Sequence, residues 1–324
     1  MKRRGFLILV GAAASLAAGW PAVGFAQPAA VARVGVLVLG NPDPEPFMKE
    51  LREGLRELGY IEGQNVQLEF RSAKGRHSDL PVAAAELVAL KVDIIVTFQT
   101  PAGIAAKNAT TEIPIVLGSA GDPVGTGLVA SYARPGGNIT GAAGAGPEVG
   151  AKTLELVREV LPSVRRVAML ANAADPFYVP LLKSIQDAGR LLGIEITPAL
   201  VQRPDELDAA FAEFQKVRAE AVVVQPSLPL KQVADLALKH RLPAYSTNAG
   251  FPAAGGLMSY SADQPALYRS AATFVDKILK GRKPADLPVE LASKFLLVIN
   301  LKAAKALGIT VPATLLTRAD DVIE

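Results

Sequence analysis

The chain has 324 residues, half of them apolar and 20% charged, a globular composition with enough length for two domains that each bury a core. Its formal net charge is +3, yet Lys2, Arg3 and Arg4 sit at the extreme N-terminus; without them the 34 basic residues fall to 31, matching the 31 acidic ones. A neutral body argues against nucleic acid as a partner, and the lack of Cys excludes thiol chemistry, disulfides and lipidation at a cysteine.

Residues 1–26 read as a signal peptide. Lys2–Arg4 form its positive region and Phe6–Ala18 its apolar run. Gly24 and Ala26 put small residues at the −3 and −1 positions of a cut before Gln27. The apolar run is shorter than the about 20 residues of a membrane span, while the longer uncharged stretch Gly5–Ala32 leaves an uncleaved anchor open. Arg3-Arg4-Gly5-Phe6-Leu7 fits a twin-arginine leader. Lys2 in place of Ser or Thr before the pair leaves the Sec route equally open. The single Trp, Trp20, falls within the leader. An exported, unlipidated protein that must stay near its cell is expected in a periplasm.

Downstream, short β-rich runs alternate with helical patterns. Arg33–Leu39 is an apolar strand. Pro46–Leu58 carries Phe47, Leu51, Leu55 and Leu58 at helical spacing, and Gly59 ends it. Strands are expected over Val66–Phe70, Val92–Thr97 and Pro114–Leu117, with helices over Asp79–Leu90 and Pro101–Asn108. Arg134–Asn138 is a turn, and the small-residue stretch Gly141–Gly150 is a candidate crossing between lobes. The pattern then restarts. Helices over Lys152–Leu161, Pro180–Leu192, Asp205–Arg218 and Leu230–His240 interleave with strands over Val167–Leu170, Glu195–Ala199, Ala221–Gln225 and Ala244–Ser246. Gly255-Gly256, before Leu257–Tyr260, is a second candidate crossing. A helix over Pro265–Lys280, a strand over Lys294–Asn300 and a helix over Leu301–Leu307 follow. The whole is an α/β chain of two tandem Rossmann-like lobes with parallel sheets and a multi-strand hinge.

Ligands in open parallel sheets bind beyond the carboxyl ends of the strands. The residues there are Gly40 and Asn41, Gln99, Ser119 and Ala120 in the first half, and Asn172, Gln225, Ser227 and Asn248 in the second. They offer hydrogen bonds without an array of titrating groups. Thr100-Pro101-Ala102-Gly103 is the most informative stretch: Pro is pre-organised at a helix start, the N–H groups of Ala102 and Gly103 are free, and the helix dipole adds positive potential. Thr100 brings a hydroxyl, so the stretch suits a carboxylate, although Thr-Pro also opens helices that bind nothing. Asp122 can anchor an amine or hydroxyl, or cap a turn. Tyr260 and Asp263 can reach a cleft or pack a hinge. Phe177 and Tyr178 fit a core better than a ring-binding wall.

Enzymatic signatures are missing from the sequence. His77 and His240 have no metal-ligand spacing, and no metal or cofactor is implied. No Gly-x-Ser-x-Gly elbow, phosphate loop or dinucleotide fingerprint occurs. Gly141-Ala-Ala-Gly-Ala-Gly has the wrong spacing for one.

The run TPAGIAAKNATTEIPIVLGSAGDPVGTGLVASYARPGGNITG (Thr100–Gly141) resembles the ABC-transporter substrate-binding family that includes tryptophan/tyrosine-binding proteins. GLRELGYIEGQNV (Gly54–Val66), AAELVALKVDIIV (Ala84–Val96), GGLMSYSAD (Gly255–Asp263) and the C-terminal VDKILKGRKPADLPVE and VINLKAAKALGITVP fit as well, so the resemblance covers nearly all of the chain after the leader. It implies a type I periplasmic-binding-protein fold, with lobe 1 at 27–142 plus about 257–283 and lobe 2 at 143–256 plus about 284–324. It also implies a monomer that delivers a small molecule to an inner-membrane ABC permease. Thr100–Gly103 match the stretch that meets the ligand carboxylate in amino-acid-binding members; Asp122 matches an Asp-Pro, and Asn172 a loop Asn. Those members tend to carry Asp-Asn at the positions that follow Val224. Gln225-Pro226-Ser227 stands there in this chain, and an enclosed ammonium without an anion is costly. The expectation is therefore a small organic or aromatic acid. Aromatic amino-acid binding, or a sensor showing its closed state to a membrane receptor, are the alternatives.

Overall fold

The computed structural model describes residues 31–40, 43–146 and 148–324. The leader, Asn41 and Pro42 lie outside the described residues.

The first sheet draws on β1 (Ala32–Val38), β2 (Val66–Ser72), β3 (Ile94–Phe98), β4 (Ile115–Gly121) and β5 (Ile139–Ala145), linked through helices α1 (Glu45–Glu57), α2 (Leu80–Ala89) and α3 (Thr100–Ala109). After β5 come α4 (Glu148–Val160), β6 (Arg166–Asn172), α5 (Tyr178–Leu192), β7 (Glu195–Val201), α6 (Leu207–Lys216), β8 (Ala221–Val224), α7 (Leu230–Lys239), β9 (Ala244–Ser246) and β10 (Met258–Ala262). The chain closes with α8 (Gln264–Leu279), β11 (Glu290–Leu291), β12 (Phe295–Asn300), α9 (Leu301–Leu307), α10 (Ala313–Leu316) and β13 (Asp321–Ile323).

The six-stranded sheet runs β11-β5-β4-β3-β1-β2, and all its pairings are parallel. The seven-stranded sheet runs β13-β12-β10-β9-β8-β6-β7, with β10 and β12 antiparallel. Within each half the order reverses beside the first strand, between β1 and β3 and between β6 and β8. Such switch points open a crevice at the strand ends.

Alternation along the strands builds the cores. Val34, Val36 and Val38 of β1 pack with residues of α1 and α8, while Leu37 and Leu39 join a cluster with residues of α2 and α3. In the second sheet Val167, Met169 and Ala171 pack with residues of α4 and α5, and Ala168 and Leu170 with residues of α6 and α7. Both sheets are covered on two faces, as parallel sheets require.

One crossing falls within the expected Gly141–Gly150 stretch, after Ala145, and the other lies elsewhere. The stretch from Gly141 begins inside β5, a paired strand of the first sheet, and the chain leaves that sheet only after Ala145. Gly/Ala-rich sequence has little strand propensity, but a Cβ at Gly141 would run into the backbone of Leu117, so close approach of β4 selects glycine there. β10 pairs with β9, which puts the second passage at Ala262–Gln264 and not at Gly255-Gly256. A third passage joins β11 to β12. The hinge thus has three strands, and Asp263 and Lys294 connect two of them: the Asp263 N–H donates to the Lys294 carbonyl at 3.0 Å, and Lys294 Nζ donates to Asp263 Oδ2 at 2.9 Å.

Candidate functional site

The carboxyl ends of both sheets face one cleft. It holds an inner cavity of about 430 Å³ and an outer one of about 1240 Å³, adjoining at Phe47, Gln99, Pro226, Ser227 and Asn248. Both take residues from each lobe, and the inner volume falls in the ~300–1,000 Å³ range of small-molecule sites.

On the first-lobe wall of the inner cavity lie Gln99, Thr100, Ser119 and Ala120. Gln99 caps α3 with φ 73° and ψ 149°, a region that costs a non-glycine residue about 1–3 kcal/mol. The Thr100 hydroxyl accepts from the Gly121 N–H at 2.9 Å and donates to the Gly121 carbonyl at 3.3 Å, tying the α3 start to the end of β4. Its proton is thus already placed, which leaves the helix amides as the donors for an anion. Among the described residues nothing accepts from the N–H groups of Thr100 and Ala102. Pro101, Ala102 and Gly103 are buried and line neither cavity; the Ala102 side chain is in the core, and Gly103 lies against Leu117 and Leu128. The Gly103 N–H bonds the Gln99 carbonyl at 3.3 Å and is not free as expected, because the helix already closes its first turn there.

On the second-lobe wall lie Asp175, Phe177, Ser227, Thr247 and Asn248. Asp175 is 2% exposed, and its Oδ1 accepts from the Phe177 N–H at 3.0 Å. Burial pushes its carboxyl up to about 6, opposed by the nearby Ser227 hydroxyl and the Phe177 amide. Gln99 Oε1, Ser227 Oγ and Thr247 Oγ1 are buried without a well-formed hydrogen bond. Phe47, Phe177 and Tyr268 supply the apolar part of the wall. Phe98 backs it, with its ring 4.3 Å from that of Tyr268 and 5.4 Å from that of Phe47.

Gly40 and Asn172 line the outer cavity. Several other expected residues point elsewhere. Asp122, at φ 35°, turns its Oδ1 to the Gly125 N–H at 2.9 Å and the Tyr132 hydroxyl at 3.1 Å, so it caps a turn outside the cleft. Gln225 is fully buried behind the wall, where its Oε1 accepts from the Asn172 N–H at 2.7 Å. Tyr260 stacks on Phe295, with ring centroids 5.5 Å apart. Asp263 caps α8 through the Ala266 N–H at 3.2 Å, and its ion pair with Lys294 holds its carboxyl below the ordinary range. These last two pack the hinge. Asn41 lies outside the described residues.

Asp175, Thr247, Phe47 and Tyr268 are among the lining residues that were not expected, and Phe177, expected in a core, also lines the cavity because it follows the β6–α5 loop at the cleft. Asp175 and Thr247 sit within segments that follow strands, so position alone marks them. Phe47 and Tyr268 lie on helices whose spacing reads as core. Among the described residues no group of three or more His, Asp or Glu is placed to hold a metal, and no helix is long and apolar enough to cross a membrane.

Comparison with known proteins agrees with this architecture. The chain is 26% identical over 273 residues to the tyrosine-binding protein of Clostridioides difficile strain R20291, covering 82% of this chain and 78% of that one. It is similar to the structure of an ABC domain in complex with L-Trp from Streptococcus pneumonia, at 28% identity, TM-score 0.83, and coverage of 90% of this chain and 99% of that chain. A conserved domain protein from Vibrio cholerae matches at 27% identity and TM-score 0.84, with the same coverage. The family model described as "ABC transporter substrate binding protein" matches residues 34–323. Proteins of that family are extracytoplasmic and bind solutes without acting as enzymes. The chain belongs to the ABC transporter substrate-binding protein family.

Proposed function

We propose that this protein is the periplasmic solute-binding component of an ABC uptake transporter, holding a carboxylate-bearing solute between its lobes and presenting the closed form to an inner-membrane permease. The mature chain is taken to be a diffusible monomer, freed of residues 1–26. The observation that carries this reading is the inner cavity itself. Thr100, whose N–H has no acceptor among the described residues, lines it from one lobe, and two buried polar atoms that lack partners, Gln99 Oε1 and Thr247 Oγ1, sit on residues around it. Buried polar groups are normally paired, so a ligand is the natural partner for such a set. A helix start supplies partial positive charge for a carboxylate. Closure by hinge bending brings the two walls together, and the solute shifts the population toward the closed form.

Calorimetric titration of the mature protein tests this. Solutes recovered from the purified protein by native mass spectrometry would be compared with their primary amides. The acid is expected at roughly micromolar affinity or tighter, about −8 kcal/mol, and unchanged after incubation. Equal affinity for the neutral amide would remove the carboxylate from the reading.

A further inference from the structure

We infer that the solute carries a second anionic group, set apart from its first carboxylate by a hydrocarbon spacer, and that the outer cavity holds that group beside Lys74 and His77. This rests on the reading of the inner cavity as the site of the first carboxylate.

The outer cavity adjoins the inner one at Phe47, Gln99 and Ser227, and at about 1240 Å³ it is much the larger. Its space persists although Asn172 and His77, which both line it, already bridge the lobes at 3.3 Å. A short acid held in the inner cavity would leave it to water. Phe47 lines both cavities, and Leu39, Leu207 and Leu228 continue an apolar lining into the outer one. Such a lining suits a hydrocarbon spacer.

Lys74, Arg76 and Arg203 also line the outer cavity, and the two arginines are already paired. Arg76 Nε donates to Asp79 Oδ2 at 2.6 Å, and Arg203 Nε donates to Asp205 Oδ1 at 3.0 Å. Lys74 forms no ion pair among the described residues, since Arg76 occupies the nearby Asp79. The backbone fixes where Lys74 stands. It lies at φ 53° and Gly75 at φ 80°, a left-handed turn that disfavours lysine. Ser72 Oγ accepts from the Lys74 N–H at 3.0 Å and the Leu39 carbonyl from the Gly75 N–H at 2.7 Å, which ties the turn to the end of β1. Strained backbone of this kind clusters at ligand clamps.

His77 supplies a donor beside that charge. Its Nδ1 accepts from Asn172, which places the ring proton on Nε2, and Nε2 is buried with no partner. A buried N–H without an acceptor is costly, and an anionic oxygen is the partner that an N–H and an ammonium share.

The test is calorimetric titration of the mature protein with α,ω-dicarboxylates from succinate to dodecanedioate, each set against the monocarboxylate of the same carbon count. Once the chain is long enough to reach from one cavity into the other, the diacid is expected to bind about tenfold tighter than its monoacid, or more. Lys74→Asn suits the left-handed turn and removes the charge, and it should bring the long diacid to within about twofold of its monoacid. Lys74→Glu should reverse the order and favour the ω-amino acid of that length over the diacid. A phosphate monoester in place of the distal carboxylate separates the two anion chemistries: tighter binding assigns the subsite to phosphate, weaker binding to carboxylate, and either keeps the anion. Long diacids no tighter than their monoacids, or a Lys74→Asn variant that weakens both alike, would overturn the proposal and leave the first carboxylate in place. If no acid of either series binds, the reading of the inner cavity falls first, and this proposal with it.

Discussion

Asn172 at the end of β6 and His77 before α2 meet across the cleft, with Asn172 Nδ2 3.3 Å from His77 Nδ1. Apart from the hinge contacts, this is the side-chain hydrogen bond among the described residues that joins the two lobes. The amide donates, so the bond needs an unprotonated Nδ1. Burial lowers the His77 pKa, and its Nε2 is buried without a partner. Lys74, Arg76, Asp79, Arg203 and Asp205 are the charged groups around it. A base whose pKa falls on closure favours the closed form above its open-state pKa, near 6.5, and opposes it as pH drops through that value. Small-angle scattering of ligand-free protein between pH 7.5 and 5.5 should therefore show wild type opening relative to His77→Gln. Parallel pH profiles for the two proteins would remove the latch.

Gly121 and Phe177 set how closely the lobes approach. A Cβ at Gly121 would lie 2.5 Å from the Phe177 ring, and the two residues belong to different lobes. Gly121→Ala should leave each lobe folded and hinder only closure. Overpacking of this kind costs about 1–3 kcal/mol, so solute affinity should fall roughly tenfold or more. The ligand-free melting temperature should stay within a degree or two. A large loss of thermal stability would show that the contact belongs to the folded core and not to closure.

Asp175 should be a stability cost in the ligand-free protein. Its folded-state pKa is raised from 3.8 to about 6. The contribution of its neutral form is complete below about pH 4 and is lost as pH rises through 6. The penalty at pH 7 is on the order of 3 kcal/mol. Asp175→Asn should raise the ligand-free unfolding free energy at pH 7 by up to about that amount. The gain should disappear in melts near pH 3.5. A variant less stable than wild type at pH 7 would contradict the burial cost.

Asp263 should matter to stability alone. It caps α8 and pairs with the exposed Lys294. Removing a cap costs about 1 kcal/mol, and an exposed pair adds little. Asp263→Ala should lower stability by that order and leave solute affinity within about threefold, read by denaturant melts and titration. A hundredfold loss of affinity would return Asp263 to the binding site.

Much of the fold was legible because β1, with Val34, Val36 and Val38 alternating against Leu37, carries a period that only a two-faced strand satisfies. β5 was not legible, since its Gly and Ala residues are chosen by contact with β4, a long-range effect. For the site, strand ends pointed to Gln99, Thr100, Ser119, Ser227 and Asn248, which do line the cavity. The same rule put Asp122 and Gln225 in the cleft, where they are not. A strand end locates a backbone, while the local φ of Asp122 and the bond from Gln225 to Asn172 decide where the side chain goes. Asp175 lies in the loop after β6, from which only Asn172 was expected in the site.

The most direct measurement is a crystal structure of the mature protein with its bound solute. The solute is expected in the inner cavity, with its carboxylate within hydrogen-bond distance of the Thr100 amide and its far side against Ser227 and Asp175. A solute bound outside the cleft, or with its carboxylate turned away from the start of α3, would contradict the central claim.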